Sequence, residues 1–174
     1  IAMRILNDRE ITDLISEPKV VPNNWFSRLD AKDKAHYQHK EKEIDVEGSN
    51  GNLFRVIIRE NKLNVLDFSI ILTLRERESN VEYNLLRYNG KHPSKHTNKW
   101  EKEKGVSDHT FGPSFHIHKA TQRYQESGYK IDGYAEVTTL YSDFHSALNQ
   151  FLLECNFKRE DEGQPSLFEG GDIS

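Results

Sequence analysis

Apolar positions in the first twenty residues recur at helical spacing. Ile11, Leu14 and Ile15 make one stripe, Asn7 and Glu10 form a capping-box start, and Pro18 is a stop, so "NDREITDLISEP" predicts a short helix. "VVPNNWFSRL" reads as a loop anchored by Trp25 and Phe26, and Asp30 to Lys34 as a charged connector. The period then drops to two. "HKEKEIDVEG", "LFRVIIREN", "VLDFSIILTLRE" and "VEYNLLRYNG" alternate as strands, separated by the turn segments "SNGN", Asn61 to Asn64 and "RESN". Turns this short force antiparallel pairing, because a parallel crossover needs a dozen or more residues. The pattern therefore predicts a meander of about four strands.

Residues 89–113 lose this alternation. Within them Asn98 and Glu101 suit the start of a short helix that Gly105 ends. "SFHIHKA" predicts a fifth strand, Thr121 to Ser127 a short helix closed by Gly128, and "YKIDGYAEVTT" fits either element. "SDFHSALNQFLLECNF" is the clearest helix, with Ser142 as its cap and Phe144, Ala147, Leu148, Phe151, Leu152 and Cys155 on one face. The expected fold is α+β: an antiparallel sheet of about five strands, a meander, with N- and C-terminal helices packed on one face. Residues 3–157 read as one domain and 158–174 as a polar, acidic C-terminal tail. Met3 reads as the natural start, and Ile1 and Ala2 are left out of the fold.

Composition narrows the function. The 174 residues carry a formal net charge of −4, so any nucleic-acid site must be a local basic patch. A single cysteine, Cys155, excludes a disulfide framework and suits a reducing, cytoplasmic setting, where it reads as a core residue. No apolar run is long enough for a bilayer span, so no membrane partner is expected. No Gly-rich phosphate loop, Walker pattern or nucleophile elbow occurs.

Histidine is what stands out. "RYNGKHPSKHTN" and "FGPSFHIHKAT" hold four of the chain's eight histidines, His92, His96, His116 and His118, among lysines and Arg87. Residues two apart on a strand share a face, so His116 and His118 are neighbours while Phe115 and Ile117 point to the core. If the strand ending in Arg87 and Asn89 lies alongside, Arg87 meets the pair, and the intervening loop brings His92, His96, His109, Lys91, Lys95 and Lys99 to the same end of the sheet. Six Lys or Arg stand against Glu101 and Glu103 over residues 87–104, a local inversion of the overall charge that attracts phosphate, and Tyr88 and Trp100 are available to stack bases.

Three chemistries fit. A neutral and a protonated histidine can cleave RNA as base and acid without metal, with Arg or Lys stabilising the charge on phosphorus. His-x-His with a loop histidine and a carboxylate can complete a divalent-metal shell, although no cofactor is required by the sequence. A polar sheet face with solvated histidines is the third. His36 and His39 read as solvated surface residues, and His145, in the first turn of the last helix, as a neutral structural one.

The succession Arg87, Tyr88, Asn89, His92, Pro93, His116 and His118 resembles the small toxin-like proteins of the TumE class, found in prokaryotic toxin–antitoxin pairs. The likeness covers about residues 52–120. It departs from that pattern in the long insertion between His96 and His116 and in Asn89-Gly90 where an Asp is usual. The whole chain also looks like an uncharacterised bacterial family of similar length. The resemblance implies a growth-inhibiting activity on nucleic acid, a ribonuclease among the options, and an antitoxin-like protein partner. The cluster itself makes His116, His118, His92 and His96 the catalytic candidates, and Arg87, Lys91, Lys95, Lys99 and Tyr88 the nucleic-acid contacts. The same patch would also suit a non-catalytic module for an anionic partner.

The tail carries a separate signal. Gln164, Leu167 and Phe168 in "GQPSLFEGG" resemble the short motif by which bacterial replication proteins bind the sliding clamp, with docking on this chain or a second copy as the alternative.

Overall fold

The computed structural model describes residues 3–25, 30–33 and 39–160, with side chains described for 3–25 and 39–160. Phe26, His36 and the clamp-type residues Gln164, Leu167 and Phe168 lie outside the described residues.

Helix α1 (Asp8–Ser16) starts where the Asn7 side chain accepts the Glu10 N–H. The Glu10 carboxylate does not return to complete a box; it pairs with Arg4 at 2.7 Å. Strand β1 (Lys19–Val21) follows Pro18. β2 (Asp30–Asp33) is a strand where the sequence reads as a connector. β3 (His39–Glu47), β4 (Leu53–Asn61), β5 (Phe68–Arg75) and β6 (Glu82–Asn89) form the expected antiparallel meander. Its first turn places Gly51 at φ 85, a left-handed conformation that favours glycine.

Beyond β6 the chain makes a small hairpin and two short helices. These are β7 (His96–Thr97), α2 (Lys99–Glu103), β8 (Thr110–Phe111), β9 (His116–Lys119) and α3 (Gln122–Glu126). β10 (Ala135–Val137) settles the ambiguous segment as a strand, and α4 (Phe144–Glu154) is capped by Asp143 reciprocally with Ser146, one residue later than the sequence suggests. β11 (Phe157–Arg159) pairs in parallel with β1, so the fold extends past residue 157 and includes the first residues assigned to the tail.

Among the described residues the main sheet has seven strands in the order β10-β9-β6-β5-β4-β3-β2. Alternation decides its two faces. Val56, Ile58, Phe68, Ile70, Leu72 and Tyr88 point to one side, where α1 adds Ile11, Leu14 and Ile15 and α4 adds Ala147 and Phe151 in a single buried cluster. Helices from both ends of the chain thus cover the same face, each large side chain contributing about 1.5–3 kcal/mol by burial. Cys155 is 0% exposed in this core, and burial pushes its thiol well above the usual range, so it is inert packing.

One buried cation ties the helices together. Lys19 is 0% exposed, and its ammonium donates to the carbonyls of Ile15, Glu17 and Cys155 at 2.8 Å each. It also sits 3.3 Å from the Leu14 carbonyl and 4.5 Å from the centre of the Phe54 ring. The lysine closes the C-terminal ends of α1 and α4 at once, where the helix dipoles favour positive charge.

The opposite sheet face divides in two. Over β3 and β4 it carries solvent-facing pairs such as Arg55–Asp45 and Arg59–Glu41, each at 2.7 Å and each worth little in water. Over β6 and β9 it carries the histidines.

Candidate nucleic-acid interface and active site

The register of β6 against β9 assembles the site. Arg87 lies opposite His118 and Asn89 opposite His116, so all four share one face. Tyr88 and Ile117, paired between them, point to the core. The strand therefore delivers Arg87, His116 and His118 together as the alternation predicts. Gly90 lets the chain leave β6 tightly, because a Cβ there would lie 2.0 Å from the Leu66 carbonyl oxygen. The departing loop folds back over the same face with His92 and His96.

Four imidazoles then converge. Ring centres are 4.8 Å apart for His96–His118, 5.1 Å for His116–His118, 5.9 Å for His96–His116 and 5.8 Å for His92–His116. Phe111 closes the cluster, 5.1 Å from His96 and 5.2 Å from His116.

Each ring is oriented by a partner that fixes its tautomer. His118 Nδ1 lies 2.8 Å from the Asp132 carbonyl and so carries the proton, leaving the Nε2 lone pair without a partner among the described residues. His116 Nδ1 donates to the Ser114 carbonyl at 2.7 Å. Its Nε2 accepts from Asn89 Nδ2 at 3.2 Å, the amide being turned by the Ser69 hydroxyl, which donates to Asn89 Oδ1 at 2.9 Å. Both nitrogens of His116 are thus engaged. His96 Nε2 donates to Asn98 Oδ1 at 2.8 Å, which leaves Nδ1 open. His92 Nδ1 pairs with the Asp67 carboxylate.

Burial and neighbouring positive charge act on the two strand histidines in the same direction. Desolvation, with His92, His96 and Arg87 nearby, pushes His116 down to about 4. Desolvation, with Arg87, His116 and His96, pushes His118 down to about 3. Both are neutral in the free protein at pH 7. His118 is then in the base form, while the acid must come from elsewhere.

Arg87 is held by a residue the sequence does not advertise. Its Nε and Nη2 donate to Asp132 Oδ2 at 3.1 and 2.5 Å, and the Asp132 side chain is 0% exposed. Asp132 thus orients Arg87 through its carboxylate and His118 through its carbonyl. Its other oxygen, Oδ1, is buried with no hydrogen-bond partner among the described residues. Gly133 fixes this turn, since a Cβ there would press to 2.9 Å on the Tyr124 ring.

Beside the cluster opens a cavity of 380 Å³ lined by Arg87, Lys95, Lys99, His96, His118 and Lys130, with Asp132 as its one acidic wall residue. Lys95, Lys99 and Lys130 form no ion pair among the described residues. A larger cleft of 530 Å³ lies between Arg4, Arg75, Arg77 and Tyr83, but its arginines are already spent on Glu10, Glu76, Glu82 and Glu47. By the same measure Arg87 is paired with Asp132, so among the described residues the unpaired cations at the imidazole site are the three lysines.

Some expected residues lie elsewhere. Tyr88 is no base-stacking platform: it is 0% exposed on the core face, stacked on Tyr141 at 5.2 Å, with its hydroxyl on Glu154. Lys91 turns away from the cavity, its ammonium 5.1 Å over the Phe115 ring. His109 bonds Thr110 on the small hairpin, and His39 and His145 are exposed. Asn98 does not cap α2 with its side chain; it grips the edge strand instead, accepting from Ala135 N at 2.8 Å and donating to Ala135 O at 2.9 Å. Among the described residues no group of three or more His, Cys, Asp or Glu side chains is placed to hold a metal ion. No described helix is long and apolar enough to cross a membrane. No family model, curated protein or solved structure matches the chain.

Proposed function

We propose that the protein acts on nucleic acid as a toxin-like, metal-independent ribonuclease. The observation that carries this reading is a cavity lined together by Arg87, His118 and three lysines that form no ion pair among the described residues. Unpaired lysines in a chain of net charge −4 suit a polyanion, and an imidazole lone pair beside them suits a hydroxyl proton. In this scheme His118 Nε2 takes the 2′-hydroxyl proton and the 2′-oxygen attacks phosphorus. The bond from phosphorus to the 5′-oxygen breaks, and His96, protonated at Nδ1, returns a proton to that oxygen. The products are a 2′,3′-cyclic phosphate and a 5′-hydroxyl. Arg87 stabilises the charge that develops on the phosphoryl oxygens. His116, engaged at both nitrogens, and His92, on Asp67, hold the cluster rather than move protons. A cytoplasmic setting and an antitoxin-like partner that masks the cavity belong to the same proposal, in line with the TumE-type succession of residues.

A non-catalytic module for an anionic partner is the second reading, and the engagement of both His116 nitrogens favours it. Single-turnover cleavage of RNA in the presence of a chelator separates the two. His118→Ala should lose about 10²–10⁴-fold in rate while its affinity for RNA holds within about threefold. No cleavage by the wild type, with binding intact, leaves the module. Cleavage that requires a divalent metal overturns the metal-independent scheme.

A further inference from the structure

We infer that the substrate's phosphate takes the edge of Arg87 between Nη1 and Nη2 while the Arg87–Asp132 pair stays closed, which makes Asp132 a positioning residue for the reaction; this rests on the nucleic-acid reading above. A guanidinium is planar and offers two edges that fit a pair of oxygens, one between Nε and Nη2 and one between Nη1 and Nη2. Asp132 occupies the first: its Oδ2 accepts from Nε at 3.1 Å and from Nη2 at 2.5 Å. Nη1 makes no hydrogen bond among the described residues, so the second edge keeps its donors. The Asp132 side chain is 0% exposed, whereas that of Arg87 is 16% exposed and lines the cavity with Lys95, Lys99 and His118. The approach left to an anion is from the side away from Asp132.

Energetics favour a pair that stays closed. Asp132 Oδ1 is already buried with no hydrogen-bond partner among the described residues. A phosphate that pulled Arg87 away would strip Oδ2 of both its donors as well and leave a whole carboxylate buried without its cation. Binding at the free edge avoids that loss. It also keeps the guanidinium from turning, so its donors meet the phosphoryl oxygens in one orientation. The same residue fixes the base, because the Asp132 carbonyl holds His118 Nδ1 at 2.8 Å. Asp132 thus sets the cation and the base relative to each other.

This role has a signature that a structural role lacks. The Asp132 carboxylate repels a polyanion even as it orients Arg87, so it opposes binding and favours the chemical step. Removing its charge while keeping its shape should move affinity and rate in opposite directions, or move rate alone. Asp132→Asn does this: asparagine suits the same turn before Gly133, keeps an oxygen toward Arg87, and leaves the main-chain carbonyl on His118. A carboxylate that only held the fold together would lower both when removed.

The test has two arms. The first follows the Arg87 side-chain N–H signals by NMR, assigned with Arg87→Lys, as a single-stranded 2′-O-methyl oligonucleotide is added; it lacks the hydroxyl that cleavage needs. The Nη1 protons should shift and exchange more slowly, while the Nε proton keeps its position and its protection. Loss of protection at Nε means that phosphate displaces Asp132 and overturns the inference. Binding that leaves every Arg87 signal unmoved also overturns it, with the nucleic-acid reading still standing. No binding removes both. The second arm compares wild type with Asp132→Asn. Affinity for the 2′-O-methyl strand should hold within about threefold or tighten, while single-turnover cleavage of the ribose form slows by about 10–100-fold. An unchanged rate, or a rate and affinity that fall together, overturns the positioning role. A wild type that binds but does not cleave removes that role along with the reaction, and the first arm then decides how Arg87 holds phosphate.

Discussion

Replacing Lys19 with methionine should destabilise the protein by about 3–5 kcal/mol, a large share of the roughly 5–15 kcal/mol that holds a domain of this size. Methionine keeps most of the apolar stem but removes the donor shared by the carbonyls of Ile15, Glu17 and Cys155. Those carbonyls belong to the C-terminal ends of α1 and α4, have lost water, and have no replacement donor in a site that is 0% exposed. The ammonium also rests on the faces of Phe54 and Phe157, at 4.5 and 5.7 Å. Burial pulls Lys19 down to about 8, so near neutral pH the charged form is still present to make these bonds. Urea denaturation at pH 7 measures the effect, with exposed Lys158→Met as the control that should move by less than about 0.5 kcal/mol. A Lys19→Met loss below about 1 kcal/mol would mean that the carbonyls find other partners.

Acid should weaken the fold well before its carboxylates titrate. His116 titrates near 4 and His118 near 3 in the folded protein, against about 6.5 in an unfolded chain. Between those values the unfolded chain binds the extra protons, so stability falls as pH drops below 6.5. The contribution is complete above 6.5 and is lost progressively down to about 4 for His116 and about 3 for His118. At pH 5 each histidine costs about 2 kcal/mol relative to pH 7.5. The groups facing them are Arg87, His92 and His96; the nearby Asp132 carboxylate is paired with Arg87, and among the described residues no carboxylate is hydrogen-bonded to either ring. The urea midpoint should therefore drop between pH 7.5 and 5, and His118→Gln should flatten that drop. An anion in the cavity should restore part of the loss, since it favours the protonated rings. A midpoint that does not move between pH 7.5 and 5 contradicts the buried neutral pair.

The alternation of Phe115, His116, Ile117 and His118 makes the site face legible, because a period of two permits only one assignment of sides once Ile117 is placed in the core. The same rule, applied one strand away, removes Tyr88 from the surface: if Arg87 faces the histidines, Tyr88 cannot. Lys91 follows Gly90, beyond the last paired residue of β6, where strand parity no longer says which way a side chain turns. Asp132 escapes a local reading altogether. In "KIDGY" an Asp before a Gly reads as turn chemistry, and only folding brings it to Arg87, 45 residues earlier. Lys130 enters the cavity with that turn. Asn98 shows the other limit. Its spacing before Glu101 suits a helix cap, yet the edge strand β10, too short for an alternation signal, takes its amide instead.

Salt dependence of RNA binding tests most directly whether the cavity is the nucleic-acid interface. Each phosphate neutralised by a lysine adds about 0.7 to the steepness of log K against log salt for a single strand. Lys95→Ala, Lys99→Ala and Lys130→Ala should each make the slope shallower by an amount of that order. Lys91→Ala, four residues from Lys95 but turned onto Phe115, should leave it unchanged. A Lys91→Ala change as large as the other three, or slopes that none of the four alters, would contradict the account.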